Sequence, residues 1–208
     1  MSQPEVFSLP LGDLEPFLDR KRYSAFAMSQ LRLSSLLSEI LSKANDFVPS
    51  EAGSILMDQP EERGETPGEI LLYFVSAFGP SGAALLGKSL GADTGVVGHV
   101  YRTGEPYLMS DPENDPNFYT KFDVDHEFRT TGVIAVPVWI ERTVCGVLEL
   151  LNRSDGKPYT ERDMKMLEIF ARYTSISIEN LLDAQRASEM ARRDDLTGLY
   201  NDRFFHHP

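Results

Sequence analysis

Two apolar runs lie three residues apart in the second half of the chain, Gly132–Ile140 (GVIAVPVWI) and Val144–Leu151 (VCGVLELL). Only Glu141-Arg142-Thr143 separates them. Parallel pairing needs a crossover of a dozen residues or more, so these runs can close only as an antiparallel hairpin. Pro137 removes a ladder donor from the first run and favours an edge position or a bulge there. A second pair of runs, Gly53–Met57 and Ile70–Phe78, is rich in branched and aromatic residues. The polar stretch Asp58–Glu69, with proline and glycine turn signals, makes this pair two antiparallel strands with a long acidic connection. Tyr107–Met109 adds a short strand.

Helical spacing brackets these strands. Leu33, Leu37, Ile40, Ala44 and Phe47 step by four and three, and Leu36, Leu41 and Val48 widen the same face. Pro49 stops this helix, because the residue before a proline is pushed out of the helical region. Gly95–Thr103 (GVVGHVYRT) reads as a short helix closed by Gly104 at its C-terminal cap. Near the end, Thr160 and Asp163 fit a capping box. Leu167, Ala171, Thr174, Ile178, Leu181, Gln185 and Ser188 then alternate four and three, apolar at first and polar later. Such a helix packs on its own domain and then leaves it to meet a partner through a thin seam; a lone amphipathic terminal helix fits the pattern equally. Helices around an antiparallel sheet predict an α+β domain. Residues 1–22 read as a flexible arm, 23–184 as the domain, 185–193 as a coiled-coil linker.

Composition narrows the function. Of 208 residues, 32 are acidic and 20 basic, for a formal charge of -12. That balance disfavours nucleic-acid phosphates and anionic membranes. The excess is local: residues 51–70 carry six acids against Arg63, and 111–127 six against Lys121. Cys145 is the single cysteine, which excludes an internal disulfide and a four-cysteine zinc site. No apolar run approaches the roughly 20 residues of a membrane span, and the N-terminus lacks the features of a signal peptide. A soluble cytoplasmic protein is the expectation.

Two segments are similar to known families. The succession of helix, hairpin, short helix, acidic segment, hairpin and long exit helix over residues 33–184 resembles a GAF domain. The most telling stretch is FRTTGVIAVPVWIERTVCGVLELLNRSDGKPYTERD. Cyclic-nucleotide-binding GAF domains carry a dispersed Asn, Lys, Phe, Asp, Glu signature. The matching positions here are Asn152, Arg153, Tyr159, Asp163 and Met164. The resemblance implies an Arg153–Asp163 pair that ties the end of the sheet to the exit helix, a structural motif. Residues 193–205 (RDDLTGLYNDRFF) resemble the opening of a GGDEF domain, D-x-L-T-G-L-x-N-R-R, through Asp194, Leu196, Thr197, Gly198, Leu199 and Asn201; Asp202 departs from the pattern. GGDEF domains condense two GTP into cyclic di-GMP as dimers. The Gly-Gly-Asp/Glu-Glu-Phe signature is missing, so this polypeptide is not expected to be catalytic.

The GAF resemblance implies a pocket over one sheet face, lined by Asp111, Phe118, Phe122, Thr130, Thr131 and Glu149. Rings that stack and hydroxyls that hydrogen-bond suit a small polar aromatic ligand, a cyclic nucleotide among the possibilities. Strand alternation puts Val147, Glu149 and Leu151 on one face. A carboxylate buried there needs a partner, which a ligand N–H would supply; solvent or an arginine are the alternatives. The acidic segment 111–127 lacks the spacing and glycine of a calcium loop. His99 reads as a helical surface histidine before a haem ligand, and His126 has only its residue type behind a pH response. A single strand cysteine cannot run the relay of the GAF-fold methionine sulfoxide reductases, and Cys145-Gly146 lacks the Cys-His of bilin attachment. Cys145 reads as an apolar filler.

The expectation is a non-catalytic sensor that dimerises in parallel through its N- and C-terminal helices and regulates a diguanylate cyclase. No metal or fixed cofactor is expected; the ligand is a small molecule. The second reading is a ligand-free dimerisation module, with Glu149 paired to a protein cation and the pocket filled by Phe118, Phe122 and Trp139. The third is an enzyme.

Overall fold

The computed structural model describes residues 4–10, 13, 27–59, 70–119 and 128–192. Phe122, the 60–69 part of the acidic connection, and the GGDEF-like positions Asp194, Leu196, Thr197, Gly198, Leu199 and Asn201 lie outside them. The elements are β1 (Val6–Ser8), α1 (Ala27–Phe47), β2 (Ser50–Asp58), β3 (Leu71–Phe78), α2 (Gly82–Leu85), β4 (Ser89–Gly91), α3 (Gly95–Thr103), β5 (Tyr107–Met109), β6 (Val133–Ile140), β7 (Thr143–Arg153) and α4 (Glu161–Arg192). The strands form one antiparallel sheet in the order β1-β3-β2-β7-β6-β5, with β4 on β3 beside β1. This is the α+β, GAF-like architecture expected.

The hairpins close as their sequences require. β6 and β7 turn through Glu141 and Arg142, both at positive φ, in a two-residue turn whose twist matches that of the strands. Pro137 lies beyond the last β5 pair, Tyr107 with Ala135, so its missing N–H faces a free edge; a bulge follows at Val138/Trp139. Gly104 ends α3 at φ 68° and donates its N–H to Val100. Gly146 serves close approach instead. A Cβ there would sit 2.2 Å from the Leu56 carbonyl oxygen across the β2–β7 pair.

Each sheet face has its own core. On one, α1 and α4 lay Leu33, Leu37, Leu41, Leu167, Ala171 and Ile178 over Ile55, Val136, Leu148 and Leu150. Cys145 belongs to this face, fully buried, with Sγ 3.2 Å from the Thr143 carbonyl. The other face packs Leu56, Phe74, Ala135 and Val147 under Val96, Val97 and Val100 of α3. A buried Asp58 accepts the Tyr101 hydroxyl at 2.5 Å on that side, so this member of the acidic stretch is structural rather than solvated.

Two readings are corrected. The 1–22 arm is not wholly loose, because Val6–Ser8 adds a strand to β3 and Leu9 is buried behind it. Ser76 anchors that strand, donating to the Phe7 carbonyl at 2.9 Å while accepting from Ser8 at 2.9 Å. Phe47 is 61% exposed, the helix having turned past the core by then, and Val48 takes the buried place. The Leu167–Ile178 part of the α4 stripe packs on the domain's own sheet, as the sequence predicts for the start of this helix. The outward stripe of α4 is Ile169, Tyr173 and Ile176. The side chains of Gln185 and Ser188 lie outside the described residues.

Candidate ligand-binding site

On the α3 face of the sheet, a small open cavity of about 80 Å3 lies between the first turn of α3, the segment carrying Phe118 and Tyr119, and strands β6 and β7. Register builds its floor. Ser54, Glu149 and Ala135 are paired across β2, β7 and β6 and lie side by side on this face. Ala135 leaves room beside the carboxyl. Ser54 donates its hydroxyl to Oε1 of Glu149 at 2.7 Å, and no partner for Oε2 is found among the described residues. Glu149 is 8% exposed. Burial raises its pKa to about 7, a rise the Ser54 bond only partly offsets.

The walls are apolar: Leu90, Val96, Val97, Val133 and Leu151 line the cavity together with Phe118. At one end α3 begins without a side-chain cap from Thr94, so its first-turn amides, which have no intrahelical acceptors, border the space. Glu149 is the one charged side chain among the described lining residues. The arrangement can hold a small molecule that presents a donor to the carboxyl and apolar surface to the walls.

Of the expected pocket residues, Phe118, Thr130 and Glu149 line this cavity, and Phe122 lies outside the described residues. Two are elsewhere. Asp111 is exposed and accepts the Asn114 amide at 2.8 Å, closing a 3-10 turn on the surface. Thr131 turns to Asn152, whose Oδ1 accepts its N–H at 2.7 Å and its hydroxyl at 3.1 Å. Trp139 does not fill the cavity; it lies over Gly104, 40% exposed, beside the groove along α4. The α3 turn (Thr94 to Val97) and Tyr119 were not anticipated. The Thr94-Gly95 start of the helix was their one sequence signal.

The structural motif holds together. Asn152, at φ 54°, also donates Nδ2 to Glu51 at 2.9 Å and to the Arg129 carbonyl at 2.8 Å, fixing the chain that leads through Thr130 into the cavity. Arg153 Nη1 meets Asp163 Oδ2 at 2.6 Å, and Tyr159 donates to Ser50 at 2.7 Å. Asp163 completes the capping box with the Thr160 amide at 2.8 Å. Burial pushes the Asp163 carboxyl up, but Thr160 and Arg153 together hold it below the usual range. Further along the cover, Asp115 accepts the Tyr107 hydroxyl at 3.0 Å and the Asn117 amide at 2.8 Å. His99 packs on Tyr107 with ring centroids 4.9 Å apart. Among the described residues no cluster of metal-ligating side chains exists, and no helix is long and apolar enough to cross a membrane.

A two-faced antiparallel sheet, with two helices packed on one face and an open cavity on the other, places the chain in the α+β class. The chain belongs to the GAF domain family, whose model matches residues 30–179. A stretch of 84 residues is 34% identical to the dual 3',5'-cyclic-AMP and -GMP phosphodiesterase 11A of Takifugu rubripes, covering 40% of this chain and 9% of that protein. The chain thus spans under a tenth of that relative. The fold is similar to the GAF domain of a phosphoenolpyruvate-protein phosphotransferase from Coxiella burnetii, with TM-score 0.60 and 16% identity over 85% of this chain and 94% of that one. It is also similar to the blue-light-absorbing form of the PixJ GAF domain of Thermosynechococcus elongatus, with TM-score 0.61 and 12% identity over 82% of this chain and all (100%) of that one.

Proposed function

We propose that this chain is a non-catalytic GAF sensor module that binds a small molecule in the Glu149 cavity and relays occupancy through α4. The observation that carries the reading is the Glu149 carboxyl, nine-tenths buried and open to an apolar cavity, with no cation among the described residues that line it. A carboxyl so placed is costly to keep ionised, and a ligand donor relieves that cost. The phosphodiesterase relative makes a cyclic nucleotide one ligand to test. Its phosphate would have the α3 amides but no lysine or arginine among the described lining residues, so a neutral or singly charged ligand fits better. Native mass spectrometry of the purified protein tests the reading. A co-purifying small molecule that Glu149→Ala removes supports it; an empty protein that no metabolite pool shifts refutes it.

The reading includes a parallel homodimer, supported by the outward stripe Ile169, Tyr173 and Ile176, which is large and apolar for an exposed helix face. It also includes the domain plan 1–22, 23–184, 185–193 and 194–208, with a diguanylate cyclase as the output and a cytoplasmic setting. The RDDLTGLYNDRFF motif supports that output, and the reading frame beyond the Pro208 codon tests it: a GGDEF signature there sustains cyclic di-GMP signalling, and any other domain refutes it.

A further inference from the structure

The chemistry of the cavity narrows its ligand further, on the premise that the cavity is the sensing site. Around Glu149, Ser54 faces it from β2 and Ala135 from β6, the Thr94–Val97 turn borders it from α3, and Phe118 and Tyr119 come from the cover. Tyr119 is the other ionisable side chain among these, and no lysine, arginine or histidine is among the described lining residues. The next carboxylate on the same face of β2, Asp58, is engaged by Tyr101. Nothing described at the site therefore neutralises Glu149 when it ionises. The α3 terminus, worth about half a charge at most, lies at the cavity border and makes no hydrogen bond to the carboxyl.

We propose that the cavity selects a compact organic cation, an amine or amidine head on an apolar body, whose N–H groups bind Glu149 as its carboxyl proton leaves to solvent. The head pairs with Oε2, which Ser54 leaves available, and the body packs against Val97, Val133 and Leu151. An anion would meet like charge in a low-dielectric space and is rejected. A neutral amide binds the protonated carboxyl as donor and acceptor at once, so it competes best at acid pH. Any acceptor atom on the ligand has the uncapped amides of α3 to meet.

Benzamidine, benzamide and benzoate share one shape and differ in charge, which makes them the probes. Binding of each to the full 208-residue chain is followed by titration calorimetry and amide chemical shifts at pH 6 and pH 8. Benzamidine should bind best at pH 8 and about tenfold more weakly at pH 6, where about nine-tenths of Glu149 is protonated given a pKa of about 7. Benzoate should not saturate the site at pH 8. Glu149→Gln should remove both the preference and the pH dependence while the circular dichroism of the fold is kept. Benzoate binding as tightly as benzamidine, or a pH dependence that survives Glu149→Gln, overturns the cation preference. If benzamide or benzoate occupies the cavity and benzamidine does not, the sensing site stands and the charge assignment falls. If none of the three binds at millimolar concentration, both fall.

Discussion

Replacing Glu149 with glutamine should stabilise the unliganded protein at pH 8 by up to about 3 kcal/mol, and by almost nothing at pH 4.5. The folded carboxyl titrates at about 7 and the ordinary value is 4.5. That interval, at about 1.4 kcal/mol per pH unit, gives the ceiling of about 3 kcal/mol. The sign follows from proton counting. Between the two values the folded state holds the proton and the unfolded state has lost it, so wild-type stability falls as pH rises. The contribution is fully present below 4.5 and gone above about 7. Glutamine has no proton to lose, and its Oε1 still accepts the Ser54 hydroxyl. The remaining acids are common to both proteins and cancel in the difference. Urea denaturation followed by circular dichroism, at half-unit steps from pH 4.5 to 8, gives that difference directly. A gap between the two proteins that stays constant with pH, or a glutamine variant less stable at pH 8, would refute the assignment of an enclosed, uncompensated carboxyl.

Asp163→Ala removes the capping box of α4 and the partner of Arg153 together, and should cost about 1–2 kcal/mol, read as a lower urea midpoint. Because the Asp163 carboxyl is held below the usual range, its contribution is present above the unfolded carboxylate value and lost as pH falls through the folded one, so the two proteins should converge in strong acid. Gly146→Ala drives a Cβ toward the Leu56 carbonyl at 2.2 Å and should destabilise by about 1–3 kcal/mol or more through strand separation, seen as a lower midpoint or insolubility. Ile169→Glu with Ile176→Glu, on the outward stripe of α4, should leave the melting of the domain nearly unchanged and turn a dimer into a monomer in analytical ultracentrifugation; a dimer that persists refutes that stripe as the interface.

What the sequence disclosed followed from how far each signal reaches. The hairpins, α3 with its glycine cap and the capping box of α4 rest on neighbours within about a turn, and all form as expected. Val6–Ser8 escaped because a three-residue strand has no period to detect; what places it is β3, some seventy residues away. Alternation put Glu149 on the face with Val147 and Leu151. That Ser54 would sit opposite it depends on the β2–β7 register, set between strands ninety-five residues apart. The same limit explains Thr131: a threonine beside a pocket residue looks like a ligand contact until Asn152, twenty-one positions on, folds back with positive φ and takes its donors. The stripe on α4 turns from apolar to polar along its length, and its apolar start packs on the domain as that change implies. What helical spacing does not tell is where a second apolar face, Ile169, Tyr173 and Ile176, is left outward.

The cavity and the exit helix share two strands, and that arrangement fixes what a bound molecule can move. On β7, Glu149 and Leu151 face the cavity while Leu148 and Leu150 face the α4 side. The strand pair is tied to α4 at both ends. At the start of the helix stands the Arg153–Asp163 pair. Farther along, the Trp139 N–H donates to Ser175 Oγ at 3.0 Å and the Glu141 N–H to Glu179 Oε1 at 2.9 Å. Ser175 is itself committed, donating back to the Ala171 carbonyl at 3.0 Å. Between these ties Leu167, Ala171 and Ile178 are packed without exposed surface to spare. A displacement of β6 and β7 by a ligand therefore cannot be absorbed by sliding the helix along the sheet without breaking one end or the other. Under the proposed relay it would be passed on as a tilt or rotation of α4 as a unit, the kind of discrete rearrangement that packed interfaces allow. The outward residues Ile169, Tyr173 and Ile176 lie between the same ties, so in the proposed dimer the surface offered to a second copy would turn with the strands that form the cavity floor.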